Sequence, residues 1–431
     1  MVALAPDDPA LRLVHGRLLL ADDRMEEAED QLRRALDDPA TRPAAALSLG
    51  RIALFLDRRT DALAWFRRAL EGDAPEPLAL AQLLRHGDLA SDSREAREAL
   101  RLAERDDLPA NVRAHLLFGH AECLLRESAW MPSWAMLERA NATMEDHFRH
   151  LGRAYDPAHE EHSIRQLMQL FEEPVSALDA TKYAACDDPS SEDGRPVFII
   201  GMPRSGTSVL EQTLAADGRL VPLGERPELG RIYEEVMVRH AQEGRFPLRD
   251  AKALQELRRH YFEMLPERAR GTIGWTDKMP ANIHAVGIAA AILPEARFLF
   301  VERRSWQDHY FSLFRHPFSE GYFYSSRIEH IEHFAGLYQR MAERWQEMLG
   351  GRCMEILFED FVANPDHVKK EILRFLNLPA SPAKPTARGA KAVRTFSHGK
   401  AHQRVEPARP FDASPFHEMI ERRAKGVVRR V

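Results

Sequence analysis

Residues Pro196 to Leu214 read PVFIIGMPRSGTSVLEQTL, and this stretch decides the fold. Val197, Phe198, Ile199 and Ile200 form an apolar, partly β-branched run of the kind that makes a buried strand. It leads into Gly201-Met-Pro-Arg-Ser-Gly206-Thr-Ser208, after which Val209, Leu210 and Leu214 recur at helical spacing. A strand, a glycine-bearing loop and a helix start present backbone N–H groups and a positive helix end to an anion. The spacing matches the phosphate-loop pattern G-x-x-x-x-G-K-[ST] except at the lysine, where Thr207 stands, with Arg204 inside the loop. That lysine reaches the β/γ-phosphates of a nucleoside triphosphate. Its absence favours a phosphate-like group without a γ-phosphate, and a tight strand–helix turn without ligand is the alternative.

Upstream, the first 110 residues repeat with a period of 34. Ala28, Ala62 and Ala96 keep this interval, as do Leu32, Phe66 and Leu100, and Ala35, Ala69 and Ala103. Gly16 and Gly50 share it, and Pro39, Pro75 and Pro109 close the units. Small residues where two helices cross, a large apolar residue four later and a terminal proline make a helix–turn–helix repeat that stacks on its neighbour. The pattern resembles the tetratricopeptide repeat in three copies, with a looser fourth from about Asn111 to Ala140. Such an array either packs on the next domain or offers a groove to a peptide or protein partner. Ile164, Leu167, Leu170 and Phe171 predict a connecting helix, and Asp187 to Asp193 forms a polar, proline-containing boundary. The expected division is a helical array over 1–145, a helical connector over 146–190 and a second domain over 191–431.

Downstream, apolar residues lead to Gly224-Glu225, with a helix starting near Pro227. Long helices are predicted over Leu229–Gln242, Asp250–Glu263 and Ile328–Leu349, with shorter ones over Asn282–Leu293 and Pro365–Leu376. Strands are predicted from Thr272 to the Asp277-Lys278-Met-Pro280 turn, over Phe298–Val301, and over Cys353–Phe358. Strands alternating with helices indicate a three-layer α/β domain with a mainly parallel sheet. Arg303-Arg304 closes one strand and Ser312 follows eight residues after Arg304, so guanidinium and hydroxyl can meet on one anion at the sheet's carboxyl edge. From Ala390 onward the chain reads as irregular, and its end as a solvated basic tail.

The 431 residues are 44% hydrophobic, enough for more than one core. A net charge of −6 argues against a general nucleic-acid or membrane-surface binder. Three scattered cysteines, Cys123, Cys186 and Cys353, show no metal-ligand spacing and suit a reducing compartment. No basic-then-apolar leader opens the sequence, and no apolar run is long enough to span a bilayer. The expectation is a cytoplasmic protein without metal, nucleic-acid or membrane partner.

Taken in order, the Pro203-Arg-Ser-Gly-Thr loop, Gly224-Glu225, Asp277-Lys-Met-Pro280, Arg303-Arg304 with Ser312, and Phe358-Glu-Asp-Phe-Val362 resemble sulfotransferases that use 3′-phosphoadenosine 5′-phosphosulfate (PAPS). The whole chain is similar to bacterial sulfotransferases carrying tetratricopeptide repeats, and its core to tyrosylprotein sulfotransferases. The resemblance implies that Arg204, Ser205, Gly206, Thr207 and Ser208 bind the 5′-phosphosulfate, and Arg304 and Ser312 the 3′-phosphate. It implies Glu225 as the base and places Lys278 and Ser397 near the transferring group; His398 and His402 are the fallback bases. It implies no metal. Where the family often has Arg-Arg-Asp-Pro this chain has Arg303-Arg304-Ser305-Trp306, and Phe358 replaces a tyrosine. The acceptor is left open between protein or peptide, carbohydrate and small molecule. A magnesium-dependent ATP phosphotransferase and a repeat scaffold with an inactive nucleotide-binding domain are the alternatives.

Overall fold

The computed structural model describes residues 8–21, 24–172, 194–216, 218–318, 321–378 and 412–424. Eight helices form four antiparallel pairs: α1 (Pro9–Ala21) with α2 (Met25–Arg34), α3 (Arg42–Phe55) with α4 (Arg59–Arg68), α5 (Pro77–His86) with α6 (Arg94–Ala103), and α7 (Ala110–Arg126) with α8 (Trp130–His150). The 34-residue period has a steric cause. At Gly50 an added Cβ would lie 2.4 Å from the Phe66 ring, so only glycine lets the two helices approach this closely. Ala28, Ala62 and Ala96 are fully buried for the same reason. The fourth pair is longer, and its Gly119 abuts Ala81 and Leu84 of α5 rather than its own hairpin partner, which loosens the period there. A ninth helix, α9 (Pro157–Leu170), is capped by Asp156 and leads toward the second half.

The second half holds a five-stranded sheet of order β2-β3-β1-β4-β5, with every pairing parallel. Its elements in order are β1 (Arg195–Ile200), α10 (Thr207–Ala215), β2 (Val221–Pro222), α11 (Glu228–Glu243), α12 (Ala251–Met264), β3 (Gly274–Asp277), α13 (Val286–Ile292), β4 (Arg297–Glu302), α14 (Trp306–Phe314), α15 (Ile328–Leu349), β5 (Cys353–Leu357), α16 (Phe358–Ala363) and α17 (Pro365–Phe375). Residues along β1 alternate faces, as strand geometry requires. Val197 and Ile199 pack with α10, α16 and α17 on one face. Phe198 and Ile200 join the core built by α11–α13 and α15 on the other, with Phe198 stacked on Phe298 of β4 at 5.3 Å. Helices on both faces give the expected three layers.

Three expectations change. The helix foreseen from Asn282 begins as a 3₁₀ segment, Pro280–Ala285, before turning α-helical. Phe358–Ala363 is helical, with Glu359 and Asp360 in its first turn. Within the C-terminal region read as irregular, His417–Arg423 forms α18, and Phe416 and Ile420 are fully buried. Phe416 stacks on Phe311 at 4.2 Å and meets Trp130 edge-on at 5.7 Å, so packing partners far away in sequence hold a segment whose own composition is polar.

The packing does not break at the expected domain boundary. Helices α1 to α5 enclose one core, whereas α5 to α9 share a continuous core with the sheet domain. Across this seam Arg315 is held by Glu122 at 2.6 Å, Asn141 donates to the Phe314 carbonyl at 2.8 Å, and Trp134 packs on Phe314. Among the described residues no helix is long and apolar enough to cross a membrane.

Candidate functional site

Each of the five parallel strands leads into chemistry at the same edge of the sheet. The sequence that follows β1 is the Arg204 loop, that after β2 holds Glu225, that after β3 opens with Lys278, that after β4 is Arg303-Arg304, and that after β5 is Phe358-Glu359-Asp360. The chain runs from β1 to one side of the sheet and later crosses to the other, so β1 is the switch point where such sheets open a ligand crevice.

The loop after β1 is wound tightly. Gly206 caps α10 at φ 106°, and Arg204 takes a left-handed φ of 70°, a cost that side-chain-bearing residues accept mostly where function holds them. An added Cβ on Gly206 would lie 2.1 Å from the Phe358 ring, so Phe358 roofs the loop directly. The Arg303 guanidinium lies over that ring's other surroundings, 5.2 Å from its centroid. Ser205 and Thr207 are buried, and the Ser205 hydroxyl has no hydrogen-bond partner among the described residues. From beneath, His309 of α14 donates Nε2–H to the Pro203 carbonyl at 2.9 Å. Burial and then the Arg303 charge push this imidazole down to about 3, so it stays neutral and serves as a prop.

Arg204 Nε donates to Ser312 Oγ at 3.2 Å, joining the loop to α14. Desolvation, then the charges of Arg85, Arg315 and Arg303, pull Arg204 down to about 10, with Glu122 opposing. Arg304, expected beside Ser312, instead forks onto Asp360 at 2.9 and 3.0 Å. Glu359 accepts the backbone N–H groups of Arg304 and Ser305, and Ser305 caps α14 through the Asp308 N–H. Ser305 therefore supplies a cap where the related motif carries aspartate. Arg303 is the buried member of the pair, and its Nε and Nη2 lack hydrogen-bond partners among the described residues.

On the other side of β1, Lys278 Nζ donates to Glu225 Oε1 at 2.5 Å, both side chains almost wholly enclosed. The Lys278 N–H also bonds the Gly224 carbonyl, which locks the two turns together. Glu211, absent from the sequence reading, sits behind them on α10. It accepts from Thr276 Oγ1 at 2.7 Å and from the Gly224 N–H at 3.1 Å. Burial pushes its carboxyl up to about 6, with Lys278 and these hydrogen bonds holding it from going higher. The available signal was an acid on the apolar face of α10, between Leu210 and Leu214. Asp277 is likewise driven well up by burial and by Glu228, and it accepts from Asn282 Nδ2. Ser397, His398 and His402 lie outside the described residues.

Beside both corners opens a cavity of about 110 Å³. Pro203 of the loop, Pro280 after Lys278, Tyr322, Tyr338, and Tyr155 and Glu160 from the connecting region line it. The Tyr322 hydroxyl is pushed up by burial and then by the Glu225 charge.

The model of the sulfotransferase family matches residues 196–382. A protein-tyrosine sulfotransferase of Drosophila melanogaster is 23% identical over 191 residues, covering 42% of this chain and 38% of that protein. An uncharacterized protein of Aquifex aeolicus is 22% identical over 283 residues, covering 63% of this chain and 36% of the relative. The chain thus spans just over a third of the length of these relatives. Among solved structures, a sulfotransferase from Mycobacterium tuberculosis covers 79% of this chain and 99% of its own, at 15% identity and TM-score 0.32. The sulfotransferase domain of the Synechococcus olefin synthase covers 55% and 96%, at 16% identity and TM-score 0.29. Residues 196–382 are a domain of the sulfotransferase family.

Proposed function

We propose that the chain transfers a sulfuryl group from PAPS to an acceptor hydroxyl or amine. The observation that carries this reading is the pairing of a lysine-free loop, tied through Arg204 to Ser312, with a buried Glu225–Lys278 pair at the same sheet edge. The Arg204-to-Ser208 loop and α10 bind the 5′-phosphosulfate, with Arg303 and Arg304 behind it. Ser312 binds the 3′-phosphate.

Lys278 holds the Glu225 carboxyl in place in the resting site. As the acceptor oxygen attacks sulfur, Glu225 takes its proton and a new S–O bond forms. The S–O bond to the phosphate breaks, and its electron pair stays on the phosphate oxygen. Lys278 and Arg204 stabilise that growing charge, the kind of fixed electrostatic help worth most in a water-poor site. The acceptor occupies the cavity between Pro203, Pro280 and Tyr322. The helical region is a tetratricopeptide-like array, and through Tyr155 and Glu160 the connector after it shapes the acceptor cleft. We place the enzyme in the cytoplasm.

Titration with adenosine 3′,5′-bisphosphate, and in parallel with ATP plus magnesium, tests the donor assignment. Binding of the bisphosphate in preference to ATP is expected, together with transfer of labelled sulfate into an acceptor mixture. Tight magnesium-dependent binding of ATP without affinity for the bisphosphate would sink the reading.

A further inference from the structure

At the end of α14 the two halves of the molecule meet, and the charges they bring are lopsided. Arg85, at the end of α5, reaches across the seam to place Nη2 2.9 Å from His316 Nδ1. One turn back, Ser312 Oγ receives Arg204 Nε. Ser312 lies in the last turn of α14 and His316 two residues past its end at Phe314, so the Arg204 and Arg85 contacts fall on one short stretch of chain. Arg315 and Arg303 adjoin the same group.

Among the described residues the carboxylates facing these cations are Glu122, beside Arg315 and Arg85, and Glu359 and Asp308, beside Arg303. Glu122 is held by two bonds from Arg315, and Glu359 lies 3.6 Å from Arg303. Two buried nitrogens of Arg303 have no hydrogen-bond partner among the described residues. Three other arginines cross the seam onto glutamates, Arg315 on Glu122, Arg327 on Glu145 and Arg423 on Glu138, and Arg344 crosses onto the Phe171 and Glu172 carbonyls. Arg85 ends on an imidazole, with the Glu122 carboxylate and the Arg315 guanidinium as its charged neighbours. Like charges gathered in a poorly solvated recess repel one another, and an anion arriving there relieves the repulsion.

We infer that Arg85 binds the donor's 3′-phosphate beside Ser312 and Arg204, so that the nucleotide site is built from both halves of the chain. This rests on the proposed PAPS reading. It gives the helical region a part in the donor site itself, separate from any partner it recruits.

Isothermal titration of the full chain with adenosine 3′,5′-bisphosphate and with adenosine 5′-monophosphate tests it, using Arg85→Gln and, as a seam control, Arg327→Gln. Arg85→Gln is expected to weaken the bisphosphate about 10–100-fold, the loss of one charge-assisted hydrogen bond. The monophosphate should weaken less than about threefold, as for a more distant charge. Arg327→Gln should bind both as wild type does. Wild-type affinity for the bisphosphate, or equal losses on both nucleotides, overturns the inference. If Arg85→Gln does not fold, Arg85→Lys decides: it keeps the charge but cannot span His316 and a phosphate together. A loss of about tenfold then supports the inference and unchanged affinity overturns it. A wild-type chain that binds neither nucleotide is a different failure, and one of the donor reading itself.

Discussion

The two sides of β1 carry opposite chemistry. Toward β4 the edge is crowded with guanidinium groups, Arg204, Arg303, Arg315 and, from across the seam, Arg85. Toward β3 and β2 it is crowded with carboxylates, Glu211, Glu225 and Asp277, around one ammonium. Arginine stays charged when buried, and its planar fork suits phosphate oxygens. Carboxylates in a dry pocket are pushed toward taking protons. One side is thus suited to holding a departing anion and the other to receiving a proton, with the cavity lined by Pro203, Pro280 and Tyr322 beside both.

The sharpest way to break this comparison is at Glu225. Glu225→Gln should lower turnover by ~10²–10⁴ while leaving bisphosphate affinity unchanged, since it touches only proton transfer. Steady-state kinetics with labelled donor decide it, and wild-type turnover would move the base elsewhere. On the cationic side, Arg204→Ala should do the reverse and weaken bisphosphate binding by about 10–100-fold. Titration calorimetry that finds unchanged affinity would leave the loop without its central role.

Glu211 gives a smaller effect with a definite sign. Its folded value, about 6, lies above the ordinary 4.5, so folding takes up a proton and stability falls as pH rises through that window. Between pH 4.5 and 7 the wild type should lose roughly 2 kcal/mol that Glu211→Gln retains, read from denaturant melts at each pH. Parallel curves for the two proteins would put the carboxyl in a more solvated setting. Smallest is Phe358→Leu, which removes the ring under Arg303 and should cost about 1 kcal/mol of donor affinity. An unchanged dissociation constant would make Phe358 mere filling.

The comparison also explains what the sequence could reveal. The strand, loop and helix from Val197 to Leu214 declare themselves because each signal is local: β-branched residues, two glycines five apart, then helical spacing. Gly16 and Gly50 do so because steric contact with a partner 16 residues on repeats at a fixed interval. Glu225 and Lys278 stand out only through resemblance, for nothing in their neighbours foretells that β2 and β3 lie side by side. Glu211 is hidden for the same reason: the Thr276 hydroxyl that engages it lies 65 residues away. The Arg304–Asp360 contact is hidden in the same way, because the carboxylate lies 56 residues on. The Phe416 segment reads as irregular because its helix depends on aromatic rings from both halves.

That last contact sets an order of events. Phe416 is made about a hundred residues after Phe311 and nearly three hundred after Trp130. Helical hairpins and sheet can both begin to form while the ribosome is still working, as earlier segments generally do. The wedge between Trp130, Trp134 and Phe311 arrives only afterwards. Until then a nascent chain shows a bare aromatic slot along its middle, open to whatever chaperone meets it first.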